Sequence, residues 1–217
     1  MKQLCLDTKM RVDLARRILT SLENAVPGSI AQLRGSLADE RADAYSDIDV
    51  FWEVPDELFQ ESMIRIADIL SEVHPVESLR LDSDFQNSDR RRLIFVQFKG
   101  LPLFWRVDID ILAQSVHRDF EYDLHNPAAR GDNWSRTHSA LMNAIAAIKA
   151  LLRNKEDAAK LLIRGFERVS LPAPNDGLEE LILQLASSIA IMDPAKSELA
   201  HRIMELHREV FGPIENS

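Results

Sequence analysis

The chain has 217 residues, 46% of them apolar and 28% charged, with 26 basic and 35 acidic side chains and a net charge of −9. That composition excludes a disordered, collagenous or low-complexity chain and allows one large domain or two small ones. The single cysteine, Cys5, excludes an intramolecular disulfide, and an acidic chain is a poor non-specific partner for DNA.

In chain order, residues 8–25 carry Met10, Leu14, Ile18 and Leu22 at helical spacing, and Pro27-Gly28 ends that helix. Residues 29–35 read as a short strand ending in glycine, and 36–46 as a loop or a frayed turn of helix. Residues 47–54 alternate acid with bulky apolar side chains, the mark of a strand. Pro55 suits the first position of a helix running to about Val73, with Asp56 and Glu57 in its first turn. Residues 76–81 predict a third strand. Residues 92–99 and 101–112 predict two more, joined by a tight turn at Lys99-Gly100.

Beyond residue 130 strand signals stop. Asp132 is a candidate N-cap for a helix through Arg153, followed by helices over about 156–169, 177–192 and 194–211. The fold class expected is α+β: a mixed sheet of about five strands with flanking helices, then an all-α helical bundle. The expected domains are 1–125 and 126–217. The first holds 15 basic and 23 acidic residues, the second 11 and 12, so the acidity lies in the first. The longest uncharged apolar run, 181–192, has twelve residues against about 20 for a membrane span. No apolar stretch precedes Asp7, so neither a membrane anchor nor a secretory leader is expected, and a cytoplasmic location is.

The informative residues are Gly35-Ser36 and, ten residues later, Asp47-Ile48-Asp49-Val50. In a strand, residues two apart share a face, so Asp47 and Asp49 put two carboxylates together while Ile48 and Val50 face the core. Asp108 and Asp110 repeat the pattern between Val107, Ile109 and Ile111. Carboxylates so placed repel unless solvated, protonated or bridged by a cation, and Mg²⁺ takes carboxylate oxygens readily. A glycine at a strand end lets backbone approach a ligand, and the serine that follows can hold phosphate oxygens.

Together these residues resemble the DNA polymerase β-like nucleotidyltransferase superfamily. Its pattern is an apolar strand ending in Gly-Ser, a spacer, Asp-apolar-Asp, and a third carboxylate on a later strand. The resemblance covers about residues 29–112, and the helical segment after it is similar to that of the small bacterial aminoglycoside and lincosamide nucleotidyltransferases. It implies that Asp47, Asp49 and Asp108 are the catalytic, metal-binding carboxylates for two Mg²⁺ ions, with Asp110 the alternative third acid. It also implies nucleotide binding by Gly35, Ser36 and Ser46. The implied reaction transfers a nucleoside monophosphate, AMP from ATP, to a hydroxyl of a small-molecule acceptor and releases pyrophosphate. A protein acceptor, as in toxin-neutralising members, and a non-catalytic nucleotide-binding module are the alternatives. One departure stands out: many members have a second glycine four residues after the serine, where this chain has Glu40. Lys149, the run Arg90-Arg91-Arg92 and the Arg202-x4-His207 spacing, which resembles that of helical HEPN ribonucleases, are weaker candidates.

Overall fold

A computed structural model describes residues 6–116 and 118–212; Cys5 and the N-terminal leader expectation lie outside them. The described residues fall into two compact units, one spanning Leu6–Trp134 and the other beginning at Ser135.

The first unit is a five-stranded mixed sheet. Its strands are β1 (Ile30–Arg34), β2 (Ile48–Val54), β3 (Val76–Leu81), β4 (Arg91–Phe98) and β5 (Val107–Ala113), in the order β1-β2-β5-β4-β3. β2 and β5 pair in parallel and the other three pairings are antiparallel. Helices α1 (Thr8–Ala25) and α3 (Phe59–Val73) bring Leu14, Ile18, Leu22, Ile66, Ile69 and Leu70 onto one face of this sheet. The strand alternation explains why that face is chosen. Ile48, Val50, Trp52 and Val54 of β2, and Val107, Ile109 and Ile111 of β5, are all buried in this core. Burial of each such side chain contributes about 1.5–3 kcal/mol, so a one-residue slip of either strand would put acids into the core.

Two local expectations are corrected. Lys99-Gly100 does not make a tight hairpin: β4 and β5 do pair antiparallel, but β5 starts only at Val107, opposite Val96, so residues 99–106 form the connection. Pro102 cannot donate to a ladder, and the Trp105 N–H folds back onto the Pro102 carbonyl (2.9 Å), burying Phe104 and Trp105. The second correction concerns Asp132, which does not cap the first bundle helix. Ser135 does, its Oγ accepting from the His138 N–H at 3.1 Å. Residues 129–133 are held back on the sheet unit by hydrogen bonds from Gly131 N to Ser83 O (2.9 Å) and from Gln86 Nε2 to Asn133 O (2.7 Å).

The second unit contains α4 (Arg136–Leu152), α5 (Ala158–Arg168), α6 (Leu178–Met192) and α7 (Ser197–Phe211). Its centre is α4, whose Leu141, Ala144, Ile145, Ala147 and Ile148 are buried. A Cβ on Gly165 would lie 2.7 Å from the Leu185 side chain, so glycine permits the close approach of α5 to α6. Among the described residues no helix is long and apolar enough to cross a membrane.

Candidate active site

The site lies on the face of the sheet opposite α1 and α3. Along the parallel β2–β5 pair, Asp49 stands opposite Asp108 and Phe51 opposite Asp110. Since 48, 50, 107 and 109 point into the core, Asp49, Asp108 and Asp110 emerge on the other face. β1 completes the row from the other side, with Arg34 opposite Asp49. A cleft of about 310 Å³ opens here, lined by Arg34, Gly35, Asp49, Leu93, Asp108 and Asp110.

Gly35 ends β1 and opens the four-residue α2 (Gly35–Ala38) with φ of 60°. A Cβ at this position would lie 2.4 Å from Asp49 Oδ2. Both the left-handed backbone and the close approach of a carboxylate require glycine here. Ser36 follows in the same turn, and its carbonyl accepts from the Arg41 N–H at 2.9 Å. Glu40, at the departure from the superfamily pattern, has φ of 56°. The backbone therefore takes the left-handed turn that a glycine would accept without strain.

The loop that delivers Asp47 is anchored from two sides. Arg11 of α1, 2% exposed, donates to the carbonyls of Asp43 (2.6 Å) and Ser46 (3.1 Å). From the other side, Trp105 Nε1 donates to Ala44 O at 3.4 Å and Phe104 meets Tyr45 edge-on at 5.3 Å. Ser46 belongs to this framework. Its side chain is turned inward, donating to Asp43 Oδ1 (2.9 Å) and accepting from Asp43 N (3.1 Å). Ser46, expected to contact nucleotide, thus uses its buried hydroxyl to close the turn before Asp47.

The acids divide into two sets. Burial pushes the Asp49 carboxyl above the usual carboxylate range, and the neighbouring Asp108 charge pushes it the same way, against the opposing pull of Arg106 and Arg34. Asp108 is gripped in a fork by Arg106, Nε to Oδ1 at 2.6 Å and Nη2 to Oδ2 at 2.5 Å. The same Nη2 lies 3.6 Å from Asp47 Oδ2. Arg106 is thus the cation between two of the three expected metal ligands. Among the described residues no group of three acidic, histidine or cysteine side chains stands ready to hold a metal ion. A guanidinium thus stands among these carboxylates and supplies neutralising charge. Asp110 forms the second set. It accepts from Arg91 Nε (3.2 Å) and Nη2 (3.3 Å) and from Arg34 Nη1 (3.3 Å). Arg91 is buried, and its remaining Nη1 donates to the carbonyls of Phe120 and Tyr122. Asp108, not Asp110, is therefore the in-register neighbour of Asp49, while Asp110 is committed to an internal ion pair.

The weaker candidates go elsewhere. Arg90 pairs with Asp56 at 2.9 Å, Arg91 with Asp110, and Arg92 lies half-buried over Phe59, so the basic run serves internal contacts. Lys149 is half-buried on α4, and Arg202 and His207 lie on α7, with His207 fully buried. The sequence reading missed Arg11 and Arg106, and it did not foresee that Arg34 and Arg91, the latter named only within the basic run, both pair with Asp110. Arg106 was legible, since it shares a strand face with Asp108. Arg34 and Arg91 reach Asp110 only through strand pairing, which the sequence does not display.

No family model matches the chain, and no curated protein matches it. Among solved structures it is similar to a GLD-2/RNP-8 complex, at 12% identity over 82% of this chain and 76% of that one, with a TM-score of 0.36. It is similar to the polymerase core of TRAMP, an RNA surveillance complex, at 12% identity over 83% of this chain and 57% of that one, TM-score 0.36. It is also similar to JHP933 from Helicobacter pylori, at 14% identity over 93% of this chain and 99% of that one, TM-score 0.29. Likeness this distant says nothing of what the chain binds or transfers.

Proposed function

We propose that this chain is a metal-dependent nucleotidyltransferase that moves AMP from ATP to a hydroxyl of a small-molecule acceptor and releases pyrophosphate. The observation that carries the reading is the in-register pair Asp49–Asp108 beside Gly35, where a carboxylate lies so close to the turn that no side chain fits. Asp47, Asp49 and Asp108 offer only hard carboxylate oxygens, a donor set that suits Mg²⁺. Held by these three, Mg²⁺ would neutralise charge developing on the phosphate oxygens and align attacking and leaving groups. The Gly35-Ser36 backbone and the Ser36 hydroxyl would hold the phosphate chain. The acceptor oxygen forms its bond to the α-phosphorus as the bond to the pyrophosphate oxygen breaks, and Asp108 accepts the hydroxyl proton. The acidity of residues 1–125 favours a cationic acceptor.

Thermal unfolding with ATP, GTP, CTP or UTP, each with and without Mg²⁺, tests the reading. A nucleotide at 100 times its Kd adds about 2.7 kcal/mol. A Mg²⁺-dependent shift with ATP is expected in the wild type and not in Asp47→Asn or Asp49→Asn. With labelled ATP and a panel of polyhydroxylated amines, those variants should lose about 100-fold or more of the transfer while keeping their circular dichroism. Near-wild-type transfer in either would overturn the assignment. A non-catalytic nucleotide-binding module is the second reading, favoured by the Arg106 fork on Asp108. Nucleotide binding without transfer to any acceptor would support it.

A further inference from the structure

Arg34 brings a guanidinium into the cleft beside its carboxylates. Arg34 and Arg91 share the single carboxylate of Asp110, so this trio carries a net positive charge. Arg91 spends its donors on Asp110 and on the carbonyls of Phe120 and Tyr122, and is only 7% exposed. Arg34 differs. It donates once, from Nη1 to Asp110 at 3.3 Å, its side chain is 41% exposed, and it lines the cleft. Its guanidinium carbon lies 4.3 Å from the centre of the Phe120 ring, which meets Phe51 edge-on at 5.5 Å. A planar cation is thus stacked and tethered at one corner, with no other hydrogen bond from it among the described residues, one residue before the Gly35 turn and opposite Asp49 in register. Guanidinium forks match phosphate oxygens in geometry, and a cation fixed in advance loses little entropy on binding them.

We propose that Arg34 is the receptor for the phosphate chain of the nucleotide, with Asp110 and Phe120 as the residues that position it. The assignment rests on the nucleotidyltransferase reading above, and it makes the cleft bipolar. The carboxylates take the cation and Arg34 takes the anion that travels with it. Asp110 holds Arg34 against the ring without neutralising it, because Arg91 already satisfies that carboxylate.

Calorimetric titration of the full chain with ATP and with inorganic triphosphate, both with Mg²⁺, tests this in the wild type, Arg34→Gln and Arg34→Lys. Arg34→Gln should weaken both ligands by the same factor, about 10- to 100-fold. Arg34→Lys should recover only part, because it keeps the charge and loses the fork. Wild-type affinity in Arg34→Gln would overturn the assignment and leave the nucleotidyltransferase reading standing. A loss confined to ATP would place the contact on the nucleoside and also overturn it. Absence of Mg²⁺-dependent binding of any nucleoside triphosphate by the wild type would overturn both. Phe120→Leu, which leaves every ion pair in place, should weaken triphosphate a few-fold by freeing the guanidinium, and unchanged affinity would count against the positioning role.

Discussion

Asp49 occupies a place that suits a ligand better than it suits the fold. Its carboxyl is desolvated against the Gly35 turn and repelled by Asp108, so its folded pKa lies above 3.8. The unfolded chain ionises first as pH rises. The folded state then holds its proton longer, and stability is lost as pH climbs from 3.8 through the folded pKa. Asp49→Asn should therefore be more stable than the wild type at pH 7 without ligand, and the advantage should vanish below about pH 3.8. Denaturant titrations at both pH values check this, and a variant less stable at neutral pH would contradict it. Arg106 has the opposite role. Its fork on Asp108 and its approach to Asp47 hold two like charges on one face. Arg106→Gln should cost about 1–2 kcal/mol without metal, and Mg²⁺ should restore the melting temperature at lower concentration than the wild type needs for its own shift.

The turn after α2 is where this chain departs from the pattern it resembles. Glu40 adopts φ of 56° with no glycine to ease it. An L-residue in the left-handed region costs about 1–2 kcal/mol, offset in part by the greater backbone entropy a glycine loses on folding. Glu40→Gly should raise stability by about 0.5–1 kcal/mol, read as a higher denaturation midpoint at unchanged slope, whereas Glu40→Ala should not. The departure was plain in the sequence, but its meaning was not. A residue's identity does not state its φ, and only the folded turn shows that position 40 keeps the conformation for which glycine is suited. The hairpin misjudged at Lys99-Gly100 has a similar cause. Residues 101–106 are apolar enough to read as strand, yet Phe104 and Trp105 bury themselves against the loop before Asp47 instead. Periodicity reports that a residue is buried, not what covers it.

At the scale of the whole molecule, the helical unit carries its own pH dependence. His207 is fully buried on α7, and burial holds its pKa below 6.5, against the partial opposition of Glu179 and Glu180 and with the help of Arg208. The unfolded chain takes up the proton first as pH falls. Stability is lost below pH 6.5 until the folded pKa is reached, at a slope no steeper than about 1.4 kcal/mol per pH unit. His207→Phe should flatten thermal stability between pH 5 and 7, and an unchanged slope would show that other groups set it. The sequence by itself determined the order of the elements, the sheet-then-helix division, and the parity that puts Asp49, Asp108 and Asp110 on one face, because alternation and helical spacing are local properties of a chain. Only the tertiary structure decided that Asp49 and Asp108 are opposite in register, that Asp110 belongs to Arg91, and that Arg34 and Arg106 supply the charges beside them. Those facts depend on which strands pair and in what register, and strands distant in sequence pair to close the whole core rather than to suit any single segment.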